Sequence, residues 1–138
     1  MDLVELNKLH EALRADGRYP LDAFEFLHEG LAFTTSQVHG DEDPERPRHV
    51  SGQQLCQGLR DYAIERWGRL ARLVLARWNI NATEDFGQMV FLLVNLGVLG
   101  KQDSDNIEDF TAVFDFNAAF AGYQIPVKPL ARAPLNAV

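Results

Sequence analysis

The stretch from Arg48 to Leu99 constrains this chain most, because it carries helical apolar spacing almost without a break and holds both tryptophans and the single cysteine. Apolar residues recurring every three and four positions make one stripe per helix, and such stripes must be buried against one another. Ser51 offers a side-chain oxygen to the first amides of a helix, with Gln54 at capping-box spacing. Leu55, Leu59, Tyr62, Ala63 and Arg66 then fall on one side. Gly58 inside this helix costs ~1 kcal/mol relative to alanine, so either another helix passes close there or the cost is simply tolerated. Gly68 ends or bends the helix, and Leu70, Leu73, Val74 and Trp78 mark the apolar face of the next one. Asn79 can take the left-handed conformation that stops it. Thr83, with Glu84 and Asp85, reads as the cap and acidic first turn of a fifth helix. That helix runs to Leu96 and is apolar on nearly all sides, which places it at the centre of the fold or in an interface.

Before this stretch, Leu3, Leu6, Leu9 and Leu13 predict an amphipathic first helix closed by Gly17. Pro20 suits the first turn of a second helix, where its missing N–H has no partner to lose. That helix reaches about Val38, with Phe24, Leu27, Leu31, Thr34 and Val38 as its core stripe and Phe26 and Phe33 broadening it. Residues 40–48, GDEDPERPR, hold two prolines and dense charge and read as a mobile charged loop, not a domain boundary. Ser104 is the predicted cap of a short helix through Phe110. Val113, Phe114, Phe116 and Phe120 read either as a short strand followed by a helical turn or as one irregular segment. Residues 124–138 read as an extended, proline-containing tail.

A chain of 138 residues with 46% hydrophobic and 24% charged content matches one ordinary globular domain, large enough to fold without a disulfide or metal. One cysteine excludes an internal bridge, and no charged, apolar and small-residue leader pattern is visible, so the expectation is cytoplasmic. The longest apolar run, Met89 to Leu99, is interrupted by Asn95 and Gly97 and falls short of the ~20 residues a membrane span needs. The net charge of −7 argues against general nucleic-acid affinity. It is unevenly distributed: from Pro44 to Trp78 seven arginines face three acidic residues, a net +4 against −11 elsewhere. That split marks either a basic face for an acidic partner or an internal match with acidic neighbours.

No catalytic signature is embedded in the chain. Glu25 and His28 stand at the Glu-x-x-His spacing of di-iron helix bundles, but a second copy is absent. His28, His39 and His49 lack the short paired spacing of zinc sites, and Cys56 lies beside Leu55 and Leu59 as a buried small side chain would. Ser51 lacks the glycines of a nucleophile elbow, and no phosphate loop or dinucleotide fingerprint appears. Trp78 to Lys101 admits a winged-helix arrangement, with Leu96–Lys101 as the wing. A recognition helix opening on Glu84, Asp85 and Phe86 would nonetheless repel phosphate.

The phrases His49–Gln53, Gly58–Ala63, Ala71–Trp78 and Thr83–Gly87, with Tyr19-Pro20, Phe24–Leu31, Asp109-Phe110 and Phe114–Phe116, resemble a conserved hypothetical family of short bacterial proteins from planctomycetes and Verrucomicrobia. The resemblance spans about Tyr19 to Phe120. It implies a self-contained bacterial cytoplasmic protein and brings no activity, cofactor or catalytic residue.

The sequence therefore predicts a mainly α, single-domain bundle of five or six helices over residues 1–123, with a small C-terminal strand pair as an option. The functional expectation is a non-catalytic interaction or adaptor module. Arg60, Arg66, Arg69, Arg72 and Arg77 would meet an acidic partner, either protein or nucleic-acid backbone, or excess apolar surface on the fifth helix would be buried in a homodimer. The alternatives are a winged-helix-like binder of nucleic-acid backbone, and an enzyme using His28, His39 or His49 with nearby carboxylates. No metal or cofactor is assigned, and no membrane association is expected.

Overall fold

A computed structural model describes residues 2–40, 49–100 and 106–121. The predicted charged loop beyond Gly40, Ser104 and the predicted tail lie outside the described residues. The chain is all-helical within them: α1 (Leu3–Asp16), α2 (Leu21–His39), α3 (Gly52–Trp67), α4 (Ala71–Arg77), α5 (Thr83–Asn95) and the short α6 (Phe116–Phe120). Two 3-10 turns, Gly68–Leu70 and Ile107–Phe110, complete the order. No strand occurs among the described residues, so neither the optional strand pair nor the wing of the winged-helix alternative is found there. Asp115 explains the first difference: its carboxylate accepts from the Ala118 amide at 2.9 Å and starts α6 where the aromatic spacing also allowed a strand.

The helix boundaries follow the predicted chemistry with instructive exceptions. Ser51 and Gln54 form the full capping box of α3, with bonds of 3.1 and 2.9 Å. Gly68 (φ 51°) closes α3, and Asn79 (φ 67°) follows α4. Pro20 is the residue before α2, at φ −71° and ψ 162°, not part of its first turn. Thr83 does not cap α5. Asp85 does, with Oδ2 accepting from the amides of Asn81 and Ala82 at 2.8 and 3.1 Å. The Thr83 hydroxyl is thereby released to donate to the Phe110 carbonyl at 2.6 Å and accept from the Val113 amide at 3.1 Å. Asn106, two residues beyond the predicted Ser104, caps the turn through Phe110.

The packing hub is α3, not α5. It touches α2, α4, α5 and the turn at Ile107–Phe110, and its inward face of Leu55, Cys56, Leu59 and Ala63 is at most 5% exposed. Gly58 is where α2 crosses it: a Cβ built there would lie 2.6 Å from both Cβ and Cγ2 of Thr34. The apolar side chains of α5 are largely covered by the chain itself, with Phe86 and Met89 fully buried and Phe91 edge-on to Phe110. By contrast, α1 rests on the remainder through one end. Leu13 is its only buried residue, while Leu3 is 71% and Leu6 38% exposed. No helix among the described residues is long and apolar enough to cross a membrane.

Candidate functional site

The five arginines read from the sequence sit on α3, α4 and the turn between them, and their surroundings divide them. Arg60 pairs with Asp61 at 2.9 Å, and Arg66 with Glu29 of α2 at 2.8 Å. Arg66 also lies over the Trp67 ring, 5.2 Å from its centroid. Arg72 turns toward α6, donating to Asn81 and Asn117 at 3.2 and 3.4 Å and lying 5.4 Å from the Phe116 ring centroid. The side chains of Arg69 and Arg77 are exposed and make no hydrogen bond or ion pair among the described residues. Two arginines are thus matched by the chain's own carboxylates, one is engaged by amides, and two are open.

The open pair comes with apolar company that the sequence misplaced. Leu70 and Leu73 were expected in the core, yet they are 45% and 63% exposed, while Ala71 and Leu75 are fully buried. The cause is the three-residue 3-10 turn at Gly68–Leu70. Together with the break at Gly68 (φ 51°, ψ −120°), it means that α4 does not continue the helical phase of α3. Leu70, Leu73 and Arg77 then follow i, i+3, i+7 spacing along one solvent-facing stripe, with Arg69 at its start. This mixed apolar and basic register was visible in the sequence, but only the structure shows which face it occupies.

The stripe stands on a rigid corner. Trp67 at the end of α3 and Trp78 at the end of α4 meet edge to face at 5.4 Å, and both contact the buried Phe26 ring, at 5.2 and 5.9 Å. The Asn79 side-chain amide donates to the Arg18 carbonyl at 3.2 Å, tying the far end of α4 to the α1–α2 turn. Below it, Tyr19 donates to Asp85 Oδ1 at 2.6 Å, and burial followed by that carboxylate raises its phenol well above the ordinary value. The neighbouring Asp16 carboxyl is lowered, chiefly by its hydrogen bonds from Arg18.

The histidines of the enzymatic alternative do not gather in one pocket. His39 Nε2 lies 2.7 Å from the His49 carbonyl, at the α2–α3 end of the molecule. His49 lines a cavity of about 240 Å³ with Ser51, Asp109 and Phe110, whereas His28 lines a separate groove with Glu25 and α1. No group of three or more His, Cys, Asp or Glu side chains suited to a metal occurs among the described residues. Cys56 is fully buried, and desolvation pushes its thiol up to about 12, far from nucleophilic reactivity. No protein-family model, curated protein or solved structure matches the chain.

Proposed function

We propose that this chain is a non-catalytic interaction module that docks an acidic, apolar-striped segment of a partner protein on the α4 corner. The carrying observation is the stripe itself: two leucines at 45% and 63% exposure between two arginines that have no partner among the described residues. Apolar contact between cationic ends suits a helix that presents leucine-like side chains flanked by Asp or Glu. The aromatic support beneath α4 makes the surface preorganised, which lowers the ordering cost of binding. Arg60, Arg66 and Arg72 serve this reading less directly, since each is already engaged within the chain. Self-association through α5 has less to bury, because its large side chains are mostly covered.

The test compares proteins captured from the cell of origin by the wild-type chain and by two folded variants, Arg69→Glu/Arg77→Glu and Leu73→Asp. The expected result is one polypeptide retained by the wild type and lost by both variants. Identical capture by all three refutes the site. Equal loss of a duplex DNA probe by the charge-reversed variant, with steep salt dependence for the wild type, would move the reading to nucleic-acid backbone.

A further inference from the structure

A second open surface lies where α1 overhangs α2 and the end of α5. It is a groove of about 670 Å³, within the range typical of small-molecule sites, lined by Leu9, Leu13, Phe24, Leu27, Leu31 and Leu99 among others. Among the described residues its polar lining consists of His10, Asp22, Glu25 and His28, with no lysine or arginine. Asp22, Glu25 and His28 are exposed and belong to α2, so the polar groups stand along one side of an otherwise apolar trough. The α1 side is lightly tethered: Leu13 is its one buried residue, and the helix joins α2 through Gly17 at φ +75°.

We infer that this groove binds a small amphiphile with an aliphatic chain and a cationic head. The chain replaces water on a surface made of leucine and phenylalanine, which is the favourable part of binding. The head is selected by sign. Two carboxylates border the trough and, among the described residues, no lysine or arginine does, so a cationic head gains attraction and a carboxylate head meets repulsion. This groove is distinct from the basic α4 stripe and does not depend on the reading proposed for it.

Isothermal titration of the whole chain with dodecyltrimethylammonium, dodecanoate and dodecyl maltoside, all below their micelle concentrations, tests the inference. The cationic probe is expected to bind saturably and about tenfold more tightly than dodecanoate, a ratio one close charge pair can supply. Glu25→Lys, a change at an exposed position, should bring the two within about threefold of each other. Leu9→Trp, which fills the trough from α1, should weaken the cationic probe about tenfold while the far-UV circular dichroism stays as in wild type. Should Leu9→Trp fail to fold, the Glu25→Lys comparison decides alone. Absence of saturable binding overturns the inference, as does equal affinity for dodecanoate. Binding of a basic amphipathic peptide without binding of the cationic amphiphile overturns it too.

Discussion

Replacing Gly58 by alanine sets two opposed effects against each other, and their sizes can be judged from the structure. Inside a helix the change should stabilise by ~1 kcal/mol through propensity alone. At this position the new methyl would press on Thr34, whose Cβ and Cγ2 lie 2.6 Å from the built Cβ. Thr34 cannot easily withdraw. It is 1% exposed, its hydroxyl donates to the Gly30 carbonyl at 2.7 Å, and its branched side chain has few rotamers on a helix. Overpacking of this kind typically costs ~1–3 kcal/mol, and Thr34 Cβ is fixed by the backbone, so the upper end applies. The expected net is a loss of about 2 kcal/mol, since the steric cost exceeds the propensity gain. In a chain of this size that lowers Tm by roughly 8 °C. Urea unfolding followed by far-UV circular dichroism measures it, and Thr34→Ala in the same chain should restore part of the loss, since the two sites are coupled. A Gly58→Ala chain as stable as wild type, or more so, would show that α2 and α3 do not cross there and that propensity alone governs the position.

Thr83→Val keeps the shape but removes the hydroxyl, leaving the Phe110 carbonyl and the Val113 amide without their partner. A loss of about 2–4 kcal/mol is expected, with hydrogen exchange at Val113 accelerated before the rest of the chain. Unchanged protection at Val113 would contradict this. Cys56 should resist thiol reagents in the native state and react fully in denaturant, because it is wholly buried and its thiol is pushed up to about 12. Rapid native labelling would show the site opens. The Tyr19 phenol is raised above its unfolded value of 10.0 by burial and Asp85. Its contribution to stability is therefore present below about pH 10 and is lost as pH rises beyond that. Thermal unfolding across this range should show wild type losing more stability than Tyr19→Phe, and parallel losses would refute the assignment.

Local chemistry was legible in the sequence wherever one residue type answers one backbone need. The Ser51–Gln54 box and the stops at Gly68 and Asn79 follow from short-range sterics and hydrogen bonding, while Gly58 left a close crossing or a tolerated cost open until Thr34 was seen against it. What escaped was relative phase. The apolar run through Leu70, Leu73 and Val74 announces a helix, but the 3-10 turn before it decides which residues face inward, and here Ala71 and Leu75 win. Tertiary demand overrode local reading at Thr83 as well: with Asp85 serving the cap, its hydroxyl binds a segment 27 residues away. The division of the arginines was equally hidden, since Glu29 and Asn117 are distant in sequence from the guanidinium groups they engage.

The split charge of the molecule bears on what can dock at the α4 corner. The whole chain carries −7, yet the corner offers Arg69 and Arg77 without a counter-charge among the described residues. At physiological ionic strength charges more than ~8 Å away are largely screened, so a helix-sized acidic segment seated on Leu70 and Leu73 senses the local arginines more than the acidic remainder. A nucleic-acid duplex is different. It extends past the stripe, brings one charge for every ~1.7 Å of its axis, and depends on many phosphate contacts for its affinity. Two open arginines supply few such contacts. The same stripe therefore favours a compact partner over an extended polyanion, and its apolar centre, which a phosphate backbone has no means to use, points the same way.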